Sequence, residues 1–145
     1  MRAKRLNDTG ERTFALIFET GEEPVRLLTQ FAEQEGMTAA RFTAIGAFSE
    51  ATVAYFDWER RDYVSIAVRE QVEVLSLLGD IALDGDKPKV HAHVVLGTRE
   101  GWARGGHLLE ARVRPTLEVM LEESPRRLQR AYDPQSGLAL IRIGE

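Results

Sequence analysis

The chain has 145 residues, no cysteine and a formal net charge of −4 at neutral pH. This length suits a single domain with its own apolar core, and the lack of cysteine excludes disulfides and thiolate metal ligands. The net charge argues against a broad nucleic-acid-binding surface. No apolar run approaches the roughly 18 residues of a membrane span, and residues 1–10 lack the apolar core of a secretory signal. We therefore expect one domain over residues 1–145, located in the cytoplasm.

The first ten residues carry a short basic run at Arg2, Lys4 and Arg5. Three charges are few for a nucleic-acid-binding arm, so the run favours a frayed start or a first edge strand. A flexible N-terminal arm over residues 1–10 is the alternative. The next segment, TFALIFE at residues 13–19, alternates apolar and other residues and predicts a strand.

One helix is indicated after this strand. Pro24 is favoured at a first helical position, and the preceding acidic residues suit the positive end of the helix dipole. Val25, Leu28, Phe31 and Ala32 then recur at helical spacing, and Gly36 is a natural stop. We interpret this stripe as packing against a sheet.

Most of the remaining chain has strand composition broken by polar turns. Gly46 and Ser49-Glu50 predict a break between the first two strands, and Gly79 indicates a bulge or the close approach of another backbone. A second short helix is predicted at residues 115–123, where strand and helix patterns compete, or at 125–131. We therefore predict an α+β fold, a mostly antiparallel, meandering sheet with one or two packed helices. The predicted strands are residues 39–47, 51–58, 63–68, 72–83, 90–96 and 138–143.

All three histidines lie in one stretch, KPKVHAHVVLGTREGWARGGHLL at residues 87–109. His91 and His93 stand two apart in a strand rich in β-branched residues, so their side chains share a face, with Cα atoms about 6.5–7 Å apart. Two imidazoles at this spacing can close on one metal ion with bonds of about 2.0–2.1 Å.

A loop at residues 97–101 and a returning segment would bring His107 beside that pair. His107 follows Gly105-Gly106, where the backbone can turn sharply and approach closely. The spacing therefore predicts a metal site formed by His91, His93 and His107. Zinc fits three neutral nitrogen ligands, and iron, nickel and copper fit them too. The alternative is that the histidines are structural and bind no metal.

Three protein ligands leave a coordination position free, whereas a closed structural zinc site has four. A zinc ion in such a site lowers the pKa of bound water towards about 7 or polarises a carbonyl group. Catalysis would also need a general acid or base, for which Glu70, Glu118 and Arg104 are candidates. For each one a structural or exposed role is favoured over catalysis.

The chain also resembles a known family, the "plants and prokaryotes conserved" (PPC) domain. His-x-His followed by Gly-Gly-His is similar to the family's signature, and further segments extend the resemblance over almost the whole chain. These segments are VHAHVVLGTREGWARGGHL at residues 90–108, FTAIGAFSEATVAYFD at 42–57, VEVLSLLGDI at 72–81, LEVM at 117–120 and YDPQSGLAL at 132–140. The LEVM segment at residues 117–120 resembles a strand of the family, which favours a strand within the ambiguous region at 115–123.

The resemblance implies a fold, an assembly and a metal. PPC domains are grouped by fold with acetolactate decarboxylase, which also holds zinc with three histidines; stand-alone members are expected to form homotrimers. In plants the domain follows AT-hook DNA-binding motifs, which implies a DNA-associated regulatory role. The basic run at residues 2–5 lacks the Gly-Arg-Pro core of such a hook, so direct DNA binding is disfavoured. We expect a homotrimeric, zinc-binding module with a protein partner or small anionic ligand. The alternative is a zinc-dependent lyase or hydrolase acting on a small carboxylate or carbonyl compound.

Overall fold

The computed structural model describes residues 1–143 and contains nine strands and one helix within them. No helix among these residues is long and apolar enough to cross a membrane. The elements are β1 Arg2–Arg5, β2 Thr13–Glu19, α1 Pro24–Gln34, β3 Ala39–Asp57, β4 Asp62–Val68, β5 Val72–Asp84, β6 Lys87–Gly97, β7 Ala103–Glu123, β8 Gln129–Tyr132 and β9 Ala139–Arg142.

The strands form one sheet, and all the pairings but β5 with β8 are antiparallel. The sheet meanders only in part: β5, β6 and β7 pair in chain order, but β7 also lies between β2 and β3, and β3 pairs with β5. Strands β3, β5, β6 and β7 therefore close a ring of pairings. The short basic run at residues 2–5 forms β1, an edge strand paired with β2.

The inner faces of these strands form the apolar core. In β2 the alternating residues Phe14, Leu16 and Phe18 are buried, as the pattern predicts. Helix α1 covers β6 and β7, and its Phe31 meets Phe14 edge-to-face at a centroid distance of 5.1 Å. The Glu23 side chain caps the helix by accepting hydrogen bonds from the backbone N–H groups of Val25 and Arg26.

Residues 39–57 form one continuous strand, so the predicted break at Gly46 and Ser49-Glu50 is wrong. The chain absorbs Gly46 as a bulge, with register shifts on both sides of it. A Cβ atom at Gly46 would lie 2.3 Å from the carbonyl oxygen of Thr116. This glycine therefore permits two strands to approach closely instead of ending one.

Neither candidate site for a second helix is helical, and the strand that the family resemblance favours at residues 117–120 is confirmed. Residues 116–123 pair with β2 on one side and β3 on the other, and buried Leu117, Val119 and Leu121 alternate with exposed residues. Pairing on both sides outweighs helix propensity in that segment. Residues 125–131 do not form a helix because Gln129–Tyr132 pairs with β5 and β9.

Candidate metal centre

The hairpin of β5 and β6 places two histidines on the outer face of the sheet. Ala92 and Val94 of β6 point into the core, so His91 and His93 point away from it. Across the hairpin, His91 lies opposite Asp80 and His93 lies opposite Leu78. The site is thus built on two regular strands, which hold its side chains in fixed directions.

Strand β7 brings the third histidine to the pair. His107 lies directly opposite His93 in the antiparallel register of β6 and β7, a position where the Cβ atoms of facing residues are about 4.5–5.5 Å apart. The two preceding glycines permit this approach. A Cβ atom at Gly105 would lie 2.1 Å from the Val94 carbonyl oxygen, and one at Gly106 would lie 2.5 Å from that of Ala54.

The three imidazoles converge closely enough to share one ion. One ring nitrogen from each of His91, His93 and His107 lies within 4.8 Å of the others. The Nε2 atoms of His91 and His93 are 3.2 Å apart. Two nitrogens bound tetrahedrally to zinc at about 2.0–2.1 Å would be separated by about 3.3 Å. The three side chains could therefore hold a metal, and their role as ligands stays a prediction.

The electrostatics of the site favour neutral imidazole, which is the form that binds metals. Burial, with the nearby charges of His91, His93 and Lys89, lowers the pKa of His107 to about 4. Burial and His91 also lower the pKa of His93. The Nδ1 atom of His107 is buried and has no hydrogen-bond partner within residues 1–143. A cation bound by His91, His93 and His107 is one group that would interact favourably with their ring nitrogens.

Three residues that the sequence did not single out surround the histidines. The Oδ2 atom of Asp80 lies 3.4 Å from His91 Nδ1, and its Oδ1 atom accepts a hydrogen bond from buried Arg130. Burial would raise the pKa of Asp80, but the contact with His91 and the charge of Arg130 outweigh it and lower that pKa. The ring of Tyr63 stacks on His107 with a centroid distance of 4.6 Å. Burial raises the pKa of Tyr63, and the charge of Arg130 partly offsets that rise.

The acid–base candidates chosen from sequence do not join the histidines. Glu118 is exposed on the far half of β7, where it pairs with Ile17 and Ile45 in register. Arg104 and Glu70 contact each other at 3.5 Å, and both are largely exposed. These three residues are therefore not placed to move a proton at the centre.

One of the missed residues had a signal in the sequence. In a hairpin that turns at Gly85-Asp86, Asp80 and His91 are equally far from the turn and therefore face each other. The structure has this pairing. Arg130 comes from β8, far along the chain, and had no local signal. Tyr63 reaches His107 through the pairing of β3 with both β4 and β7.

The family model that matches this chain describes the Plants and Prokaryotes Conserved (PCC) domain, the PPC family, and it matches residues 5–125. The chain belongs to this family. The family resemblance read from the sequence is thereby confirmed. None of the curated proteins matches the chain.

Three solved structures similar to this protein each cover 90% or more of the chain. A PPC protein from Pyrococcus horikoshii is 31% identical with a TM-score of 0.86, covering 97% of this chain and 99% of its own. A metal-containing protein from Archaeoglobus fulgidus is 36% identical with a TM-score of 0.84, covering 99% and 100%. A protein from Ralstonia eutropha, described as a candidate DNA-binding protein, is 30% identical with a TM-score of 0.84, covering 90% and 91%.

A more distant likeness supports the predicted fold group. A Staphylococcus aureus protein of unknown function, similar to alpha-acetolactate decarboxylase, has a TM-score of 0.54 at 15% identity. The match covers 79% of this chain and 53% of that one. At this identity the likeness concerns the fold alone. The predicted fold class, a strand-rich sheet of the PPC and acetolactate-decarboxylase-like type, is confirmed.

Proposed function

We propose that this PPC domain binds one divalent metal ion per chain, zinc, through His91, His93 and His107. The observation that carries the proposal is the convergence of three imidazole nitrogens within 4.8 Å, two of them at a spacing that fits one zinc ion. The lowered pKa values of His93 and His107 support it, because they keep these ligands neutral at neutral pH. The metal-containing relative from Archaeoglobus fulgidus, 36% identical, supports it independently.

The exposed apolar surface next to the histidines motivates a homotrimer as the proposed assembly. Four exposed apolar side chains lie on strands β3, β5, β6 and β7, which pair with one another, and are here called the apolar face: Ile45, Leu78, Val95 and Met120. Leu78 and Met120 flank Thr43 in register, and Leu78 lies directly opposite His93. A patch of this kind beside a candidate site is typical of a surface covered by another subunit. We propose that copies of the chain associate through the apolar face.

A regulatory binding role is the function that we favour. The Ralstonia eutropha relative described as a candidate DNA-binding protein supports a DNA-associated role, and a cytoplasmic location would agree with it. The net charge of −4 opposes direct contact with duplex DNA. We therefore propose that the domain binds a protein partner or a small anionic ligand. Failure to retard duplex DNA at low salt is the result expected from the protein alone.

A zinc-dependent lyase or hydrolase is the second candidate function. The observation that favours it is that three protein ligands leave a coordination position for a small carboxylate or carbonyl compound. Bound zinc would supply a Lewis acid there. Tyr63, which carries a proton, and the Asp80 carboxylate, which accepts one, then replace Glu70, Glu118 and Arg104 as the acid–base groups nearest the histidines. An activity in a screen of such compounds that disappears in His107→Ala would favour this function.

The test of the metal proposal is elemental analysis of protein purified without a histidine tag. We expect about one zinc per chain in the wild type and none in a triple variant with His91, His93 and His107 replaced by alanine. A matched control carries Glu70→Ala and Arg104→Ala, two exposed residues outside the cluster, and should keep its zinc. An absence of metal in the wild type after zinc is supplied would overturn the proposal.

A further inference from the structure

A chain of polar contacts links the C-terminal hairpin to the candidate metal centre. Arg130, in β8, is 7% exposed. Its Nη1 atom donates to the backbone carbonyl of Ala139 in β9 at 3.3 Å, and its Nη2 atom donates to Oδ1 of Asp80. The other carboxylate oxygen of Asp80 faces His91 Nδ1 at 3.4 Å. The path from hairpin to histidine therefore runs through one carboxylate.

We propose that Asp80 and Arg130 are positioning residues for the metal centre. Asp80 accepts the Nδ1 proton of His91, which fixes the ring in the tautomer whose Nε2 lone pair faces His93 and the ion. Arg130 fixes Asp80, and the hairpin of β8 and β9 fixes Arg130. This inference rests on the proposed metal-binding function and deepens it, since partners of this kind set the orientation and basicity of a ligating histidine.

The burial of Arg130 argues for this role. A charged guanidinium is costly to bury unless it is paired, and among residues 1–143 its ionic partner is Asp80. Its Nη2 atom contacts Asp80 and its Nη1 atom contacts the Ala139 carbonyl, so the guanidinium ties that carboxylate to β9.

The contact between His91 and His93 supplies a signature for the metal-free protein. His91 Nε2 and His93 Nε2 are 3.2 Å apart, so one of them must carry the proton between them. If Asp80 holds the His91 proton on Nδ1, His93 is the donor through Nε2. Metal binding through Nε2 then requires the proton of His93 to move, by exchange with solvent, from Nε2 to Nδ1 of the same neutral ring, while His91 is already in the ligating tautomer.

The test is ¹⁵N NMR of the histidine rings in metal-free protein at pH 8, combined with zinc affinity measured by competition with a chelator. We expect the Nδ1–H tautomer of His91 in the wild type and its loss in Asp80→Asn, because one amide oxygen must then serve both His91 and Arg130. Zinc affinity should fall about 10–100-fold in that variant. Arg130→Met should act in the same direction, and Arg130→Lys should retain part of the effect.

Two matched controls separate positioning from general structural damage. Asp84→Asn alters an exposed carboxylate on the same strand that pairs with Lys89, and Arg127→Met alters an exposed arginine just before β8. Both should leave the His91 tautomer and the zinc affinity unchanged. An Nε2–H tautomer of His91 in the wild type would overturn the inference even if the variants failed to fold, and so would unchanged zinc affinity in a folded Asp80→Asn. A wild type that shows the Nδ1–H tautomer but binds no zinc would overturn the proposed function, leaving the orientation of His91 by Asp80 supported.

Discussion

His93 and His107 face each other directly across the antiparallel pair of β6 and β7. The pairing places one ligand candidate from each strand on the same outer face, and His91 joins them two residues along β6. The cluster therefore depends on this register. A slip of one residue would turn one histidine to the opposite face of the sheet.

Gly105 controls the approach of these two strands. In Gly105→Ala the new methyl group would meet the Val94 carbonyl oxygen at 2.1 Å, so the strands must separate next to the histidines. We expect the free energy of unfolding to fall by about 1–3 kcal/mol and zinc affinity to fall with it. Urea denaturation and zinc titration check this. The neighbouring variant Arg104→Ala removes only an exposed ion pair, and a loss as large as that of Gly105→Ala would argue against the steric explanation.

The stability of the metal-free protein should depend on pH through His107. Its pKa is lowered from 6.5 to about 4 by burial and nearby positive charge. Between these values the unfolded chain takes up a proton that the folded protein does not, so stability falls as pH drops below about 6.5 and is largest above it. Urea denaturation with a chelator at pH 7.5 and pH 5.5 measures the difference. His107→Gln, which cannot titrate, should weaken this dependence, with His93 supplying the part that remains. An equal dependence in both proteins would contradict the assignment.

Arg12 joins the loop before β2 to the end of β7. It donates to both carboxylate oxygens of Glu123 at 2.6 and 2.8 Å, and to Glu35 at 2.7 Å. The side chain is partly buried, so Arg12→Met should lower the free energy of unfolding by about 1–3 kcal/mol. Arg41→Met removes a comparable but exposed pair with Glu122 and should cost about 0–1 kcal/mol. Thermal or urea denaturation that ranked the two variants in the opposite order would show that burial does not set the difference.

The apolar face gives a direct test of the proposed trimer. Leu78→Glu places a charge on this patch beside His93, and desolvating that charge on association is costly. We expect light scattering to give a trimer for the wild type at micromolar concentration and a smaller species for Leu78→Glu. Leu6→Glu, at an exposed position before β2, should leave the assembly unchanged. A monomeric wild type would rule out the trimer.

Much of the fold follows from local patterns in the sequence. The alternation in residues 13–19 predicts β2, and the spacing after Pro24 predicts α1. The histidine spacing predicts the convergence of the three rings, because a hairpin return is a local event. The close approach expected at Gly79 is also present, since a Cβ atom there would lie 2.6 Å from the His91 carbonyl oxygen.

Features set by distant partners could not be predicted in this way. The segment at residues 115–123 is fixed by its two neighbouring strands, and Gly46 is accommodated because Thr116 lies against it. Arg130 meets Asp80 across fifty residues of sequence. Glu70, Glu118 and Arg104 are acid–base candidates by residue type alone, and the folded chain does not bring them into the histidine cluster.

The central claim is that His91, His93 and His107 hold one metal ion. Anomalous diffraction at the zinc absorption edge, from crystals of untagged protein supplied with zinc, tests it most directly. We expect one anomalous peak per chain between the three rings, with zinc–nitrogen distances of about 2.0–2.1 Å. The absence of a peak there at saturating zinc, or a peak bound only by other residues, would contradict it.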